Sequence, residues 1–445
     1  MINIKDINKL ALPAILYNII EPLIGLVDTA VLGRLDDDVS TLAQAGVGLA
    51  AGLISTLIWG LAQVRTAVSS IVSQNLETEK QKKIKSLIPQ ALLFTIFLGV
   101  VFGLLTSYFY QPLAETIFDV NKPGLLHMSN EYFQIRIIGL PLSLLIAGFF
   151  GIFRGHQNTI YAMYAGVTGA IVNIVLDLVL VNGFAGIPAY GIAGVAWASV
   201  ISQLTMVAVC VYFMHFKTPF DFNLKRKINP HFAPMLKITG NMLLRTTALN
   251  MAFLVALRYA GGYGTQTLTA YSYGIQIWLF SSFFIDGYSS AGNAMAGKFI
   301  GDNNIPTLVK LSTTLLKINC RIAILLSLFY LATYYWMASL FTNDTEVIRI
   351  FNSFFWIIII AQPINSIAFT FDGIYKGLGN AVLLRNTLFI GTFLLFFPAL
   401  IFSDWLNFNV FSIWIAFVLW MTFRGLSLWH HFRQTYHTNQ VINEQ

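Results

Sequence analysis

Residues 170–183, AIVNIVLDLVLVNG, read as one continuous apolar helix with Asn173 and Asp177 inside it. A carboxylate in such a run must be compensated for its lost water or must use its proton, because an ionisable residue in a membrane helix costs several kcal/mol unless paired or hydrated. The flanks decide what kind of helix this is. Apolar runs of similar length recur along all 445 residues, 56% of which are hydrophobic and only 11% charged. The mean hydropathy is +0.68. Soluble enzymes carry about a quarter charged residues, whereas about 20 apolar residues in a helix cross a hydrocarbon core of about 30 Å.

About twelve spans are predicted, near 10–32, 42–70, 87–110, 131–153, 160–182, 191–215, 238–259, 267–296, 312–340, 348–375, 384–402 and 410–430. Barrel strands would alternate in polarity instead of staying apolar. The first span follows the N-terminus without a small-residue cleavage site and is expected to remain as its own anchor. Cys210 and Cys320 are lone residues in apolar runs and form no metal or disulfide pattern.

The net charge of +7 does not point to nucleic acid, because of where it lies. With the N-terminus inside, EKQKKIK (79–85), the segment 217–237 and the tail from His430 share one side, while RLDDD (34–38), NGFAGIPAYG (182–191) and TNDTE (342–346) face the other. Basic loops mark the cytoplasmic side. Both termini are therefore expected there, in a multi-pass protein of the cytoplasmic (inner) membrane in contact with membrane lipid.

Two stretches repeat. PLSLLIAGFFGIFRGHQN (141–158) and PINSIAFTFDGIYKGLGN (363–380) share Pro and then Gly-Ile-aromatic-basic-Gly-x-x-Asn at equal offsets, and STLAQAGVG (40–48) resembles QTLTAYSYG (266–274). Duplication predicts an all-α fold of two pseudo-symmetric six-helix bundles, 1–216 and 238–445, joined by a cytoplasmic linker at 217–237. Parallel repeats of this kind build transporters that rock two bundles about a central site.

Among the charges within spans, Glu21, Asp28, Asp177, Arg245 and Asp286 are singled out, with Asp372 near the end of the tenth. Asp28 and Asp177 each fall about five residues before the outer end of their spans, at similar depth for a rise of 1.5 Å per residue. Asn173 shares the face of Asp177 and Glu21 that of Asp28. Such a cluster suits a proton, since adjacent carboxylates in low dielectric favour protonation of one. It equally suits Na+, a hard cation served by oxygen ligands. A static pair of hydrogen-bonded acids is the structural alternative. Glu21 precedes Pro22, which frees a backbone carbonyl. Arg245 and Asp286 are expected to form a buried pair, either a fixed bridge or a switch, and Asp372 an i,i+4 pair with Lys376. Tyr17, Phe149, Phe153, Tyr271 and Trp278 are candidates for an aromatic substrate cavity, each also explained by lipid or helix packing.

GNAMAGKF (292–299) matches a phosphate-binding loop in spacing, but Phe299 replaces the hydroxyl residue that would hold magnesium. NDT (343–345) fits a glycosylation sequon, a pattern common by chance. No nucleophile or metal-ligand constellation is evident, so neither an enzyme nor a cofactor other than H+ or Na+ as coupling ion is expected.

PLIGLVDTAVLGRLD (22–36), NIVLDLVLV (173–181), GIAGVAWASVISQ (191–203), IDGYSSAGNAMAGK (285–298), FDGIYKG (371–377) and RGLSL (424–428) resemble, in order along nearly the whole chain, the multidrug and toxic compound extrusion family in its DinF-like branch. The resemblance implies a V-shaped, twelve-helix transporter that exports organic, often cationic or amphipathic, small molecules in exchange for protons or sodium. It places the family's first-helix acid on Asp28, its fifth-helix Asn and Asp on Asn173 and Asp177, and its sixth-helix hydroxyl on Ser199. Arg245 and Asp286 match charged positions of the branch's C-terminal half. A monomeric, proton-coupled antiporter is the leading expectation. A lipid or glycolipid flippase is the alternative, and a membrane-embedded enzyme or receptor a third.

Overall fold

The computed structural model describes residues 3–33, 37–118, 123–184, 186–224 and 227–437. Among them the only strand pairing is an isolated bridge between Phe184 and Ile187. Twelve long helical segments follow one another: α1 (Ile4–Leu32), α2 (Ala43–Gln74), α3 (Thr78–Tyr108), α4 (Gly124–Gly155), α5 (Ile160–Asn182), α6 (Gly191–Lys217), α7 (Phe232–Gly262), α8 (Thr265–Gly301), α9 (Ile305–Ala332), α10 (Thr345–Gly377), α11 (Ala381–Trp405) and α12 (Val410–Tyr436). Eleven are long and apolar enough to cross a membrane. The exception, α8, has 37 residues, and its buried Ser281, Ser282, Ser289, Ser290 and Asn293 lower its hydropathy. The phosphate-loop match at 292–299 lies inside this helix, where Gly292 and Gly297 are packing positions and no loop exists.

The helices form two compact units. One comprises Leu16–Val72 and Glu77–Leu236; the other comprises Met1–Ile15, Ser73–Leu76 and Lys237–Gln445. The repeat has a local structural basis in each. In the first unit α4 closes with a left-handed Gln157 (φ 59°), Asn158 N–H donates to Phe153 O at 2.9 Å, and Asn158 Oδ1 accepts from Ile160 N at 2.9 Å to start α5. In the second unit α10 closes with a left-handed Gly379 (φ 71°), Asn380 N–H donates to Tyr375 O at 3.2 Å, and Asn380 Oδ1 accepts from Leu383 N at 3.2 Å to start α11. The shared Gly-x-x-Asn is thus a helix stop followed by an Asn side chain that accepts from the first turn of the next helix, as its N-cap in the second unit and one residue before the N-cap in the first.

The shared glycines are close-approach positions. A Cβ on Gly155 would lie 2.8 Å from Ser69 O of α2, and one on Gly377 would meet the Asn293 carbonyl of α8. Side-chain-free ridges let each helix pair approach backbone to backbone, as small residues do between membrane helices.

Proline leaves identifiable marks. Pro363 within α10 cannot donate to Ile359 O, and Ser327 Oγ of α9 donates to that carbonyl instead, at 2.8 Å. α11 widens into a π turn over Gly391–Phe396 just before Pro398, where the missing N–H and the ring disturb the preceding turn. The sequon at 343–345 is part of a cap: Asp344 Oδ1 accepts from Glu346 N and Val347 N at 2.9 and 3.3 Å.

The 217–237 segment docks on the start of α3. Asn229 Nδ2 donates to Lys83 O and Ser86 Oγ, both at 2.8 Å, while Gln90 exchanges hydrogen bonds with Asn229 N and Lys227 O. Asp221 pairs with Lys85 at 2.9 Å, and that hydrogen bond holds its carboxyl below the usual carboxylate range.

Candidate coupling site

Asn173 and Asp177 lie one turn apart on α5 and are both completely buried. Asp28 comes from α1 and is 9% exposed. The Asp28 and Asp177 carboxyls lie within hydrogen-bonding reach of one another, a contact that forms only when one of them carries a proton. Beyond it, Asp28 Oδ1, both Asp177 oxygens and both amide atoms of Asn173 have no hydrogen-bond partner among the described residues. Buried polar atoms are ordinarily satisfied, so this concentration of unmet capacity requires a functional explanation.

α6 packs along α5 at this level. A Cβ on Gly194 would lie 2.8 Å from the Leu180 backbone, and one on Gly169 would lie 3.6 Å from Ser202 O, so α5 and α6 run antiparallel in contact. Between those points α6 brings Ser199, 5% exposed, to the level of Asn173 and Asp177. The Glu21 side chain lies outside the described residues.

Two further residues belong here that the sequence reading did not single out. Tyr132 of α4, 3% exposed, lies in the field of both aspartates, and Arg136 one turn later acts on Asp28. Hydropathy alone predicts a span from 131, whereas α4 begins at Gly124. The polar stretch HMSNE hides the first turns of the helix and leaves Arg136 near the start of the predicted span. Its signal was the four-residue spacing from Tyr132 on one helix face.

In the second unit Arg245 is ion-paired, but with Asp372, at 2.6 Å, and not with Asp286 as expected. Asp372, 2% exposed, also holds Lys376 at 2.7 Å, as its i,i+4 spacing predicts, and Arg424 of α12 at 3.0 Å. α10 directs this carboxylate between α7 and α12, where it gathers three cations; half-buried Asp286 reaches Arg245 and Lys376 only through the field.

The aromatic candidates separate by unit. In the first, Tyr17 meets Phe150 edge-on at 4.8 Å, and the buried Phe149 and Phe153 stack at 6.2 Å. In the second, Tyr271 and Trp278 pack against Trp414 at 5.9 and 5.6 Å in the hydrophobic core. Phe149, Phe153, Tyr271 and Trp278 therefore fill helix cores. A cleft of about 920 Å³ in the second unit is lined by other residues, among them Tyr263, Gln266, Arg349 and Asn409.

The MatE family profile matches residues 13–179 and 242–401, one stretch in each half of the chain. Protein DETOXIFICATION 45, chloroplastic, of Arabidopsis thaliana is 26% identical over 395 residues, covering 84% of this chain and 69% of its own length. DNA damage-inducible protein F of Escherichia coli is 24% identical over 430 residues, covering 95% and 91%. The crystal structure of a MATE protein in the bent conformation shares the fold, with a TM-score of 0.90 at 18% identity, covering 99% of this chain and 97% of that one. One match falls in each half, in keeping with the duplicated stretches, and the chain belongs to the MatE family of multi-pass membrane transporters.

Proposed function

We propose that the protein is a proton-coupled antiporter that exports organic, cationic or amphipathic compounds across the cytoplasmic membrane, with both termini cytoplasmic. The observation that carries this reading is the burial of two facing carboxyls and an amide whose polar atoms the protein leaves unsatisfied. Asp28 and Asp177 take the proton. Asn173 and Ser199 supply the polar wall beside them.

A proton arriving from outside neutralises a buried carboxylate and removes a desolvation cost of about 4 kcal/mol, roughly a thousandfold in a two-state ratio. That suffices to repack α1 about Pro22 and Gly25 and expel bound substrate; release of the proton inside resets the cycle. Coupling requires only that the proton bind the two states with different affinity.

The test uses purified protein in proteoliposomes with ethidium as the transported cation. A proton gradient at equal sodium is expected to drive ethidium movement, and a sodium gradient at equal pH to leave it at the leak rate. Movement driven by sodium alone would assign the oxygen cluster to that ion instead.

A further inference from the structure

Near their starts α7 and α11 enclose a groove of about 390 Å³, lined by Leu244, Arg385, Asn386, Phe389 and Ile390. Small-molecule sites usually measure about 300–1,000 Å³. Arg385 is held on the groove wall: its Nη1 donates to Asn241 Oδ1 at 2.7 Å, and its Nη2 and Nε donate to Asn386 Oδ1 at 2.7 and 3.0 Å. Asn241, only 9% exposed, is fixed in turn by donating to Lys237 O at 2.7 Å. A guanidinium has five N–H groups, and these bonds use three, so two remain for a ligand. Both acceptors are neutral amides, and among the described residues no carboxylate pairs with Arg385 or Lys237. The one acid on either helix is Asp404, at the far end of α11, where Tyr263 holds it.

The two walls change character in the same direction. Lys237, Asn241 and Leu244 share one face of α7 by their spacing, and they run from charged to polar to apolar. On α11 Arg385 and Asn386 are followed by Phe389, Ile390 and Phe393. Leu244, Ile390 and Phe393 are exposed, and Phe389 is half-buried. A phospholipid has this same order, an anionic headgroup above apolar chains, whereas a free anion would use the polar end alone. Basic pockets between membrane helices take acidic lipid headgroups. A basic side chain that merely reached for the headgroup layer would extend toward it. Arg385 is instead tied down across the groove to a second helix, which keeps its fork in place for a phosphate.

We propose that the α7–α11 groove is a binding site for one anionic glycerophospholipid of the leaflet on the side of the 217–237 segment. The phosphate accepts from the free Arg385 N–H groups and from exposed Lys237, and an acyl chain lies along Leu244, Phe389 and Ile390. The site is separate from the acids of the first unit and does not depend on the coupling ion.

The experiment titrates delipidated protein in detergent micelles with dioleoyl phosphatidylglycerol, dioleoyl phosphatidylcholine or inorganic phosphate and reads the melting temperature. A ligand that binds only the folded protein raises it. Phosphatidylglycerol is expected to raise the wild-type value saturably, and phosphatidylcholine and phosphate to leave it unchanged. Arg385→Gln removes charge-assisted hydrogen bonds and should raise the half-saturating phosphatidylglycerol concentration about tenfold. Arg385→Lys keeps the charge without the fork and should fall between the two. Leu244→Trp fills the apolar end, leaves every charge in place and should also weaken the lipid effect. Arg258→Gln, which removes an exposed cation near the far end of α7, should not. Equal stabilisation by phosphatidylcholine overturns the proposal, and so does equal stabilisation by phosphate, which would make the ligand a free anion. A folded Arg385→Gln protein with the wild-type half-saturation, or an Arg258→Gln shift as large as that of Arg385→Gln, overturns it too. Where Arg385→Gln does not fold, an unmoved Leu244→Trp half-saturation does so.

Discussion

Asp372 carries the attraction of three buried or half-buried cations, Arg245, Lys376 and Arg424, which makes it the least replaceable charge of the second unit. Asp372→Asn leaves those cations without their common anion and is expected to lower stability by about 3–5 kcal/mol. Arg245→Met costs less, because Asp372 keeps Lys376 and Arg424. Melting temperatures in detergent test this order, and a larger drop for Arg245→Met would contradict it. These charges are unevenly legible in the sequence. Asp28, Asn173 and Asp177 stood out because an acid in an apolar run has few ordinary explanations. Arg424 and Arg136 did not, because a basic residue toward the end of a predicted span reads equally well as one reaching for the headgroups. The partner of Arg245 was misassigned for a related reason: periodicity places a residue on a face of its own helix but does not say which other helix that face meets.

At the scale of elements, two devices make quantitative statements. The Ile359 carbonyl orphaned by Pro363 is served by Ser327, so Ser327→Ala is expected to cost about 1–2 kcal/mol. In a Pro363→Ala background, position 363 regains its N–H and the same substitution should cost almost nothing. A double-mutant cycle read by unfolding stability checks this, and equal costs in both backgrounds would refute the assignment. The duplicated glycines make the second statement. Gly155→Ala and Gly377→Ala place a methyl group against neighbouring backbone and should each destabilise by about 1–3 kcal/mol, whereas Gly240→Ala, with nothing within 4 Å, should not. The repeat was legible as a pattern of letters. Its meaning, a left-handed stop, an Asn acceptor for the next helix and a backbone contact, required the fold. Likewise α8 is predicted as one of the recurring apolar runs, although its buried serines leave it more polar than the other eleven helices.

For the molecule as a whole, charge asymmetry between loops makes an orientation testable. In a background lacking Cys210 and Cys320, a cysteine at exposed Asn223 is expected to react with an impermeant maleimide only from the cytoplasmic side, and one at exposed Asn343 only from outside. Reversed labelling would invert the proposed direction of transport. Composition and span length were enough to identify a polytopic helical protein, because a bilayer leaves few other ways to satisfy the backbone. They could not identify what is carried, because four of the five aromatic side chains that suggested a cavity are packed inside helix cores. The central claim is that Asp28 and Asp177 couple ion movement to export. It is tested most directly by reconstituting Asp28→Asn and Asp177→Asn, each shown to fold by its melting temperature, and measuring proton-gradient-driven ethidium transport. The account predicts that both variants fall to the leak rate of empty liposomes; full gradient-driven transport by either one would contradict it.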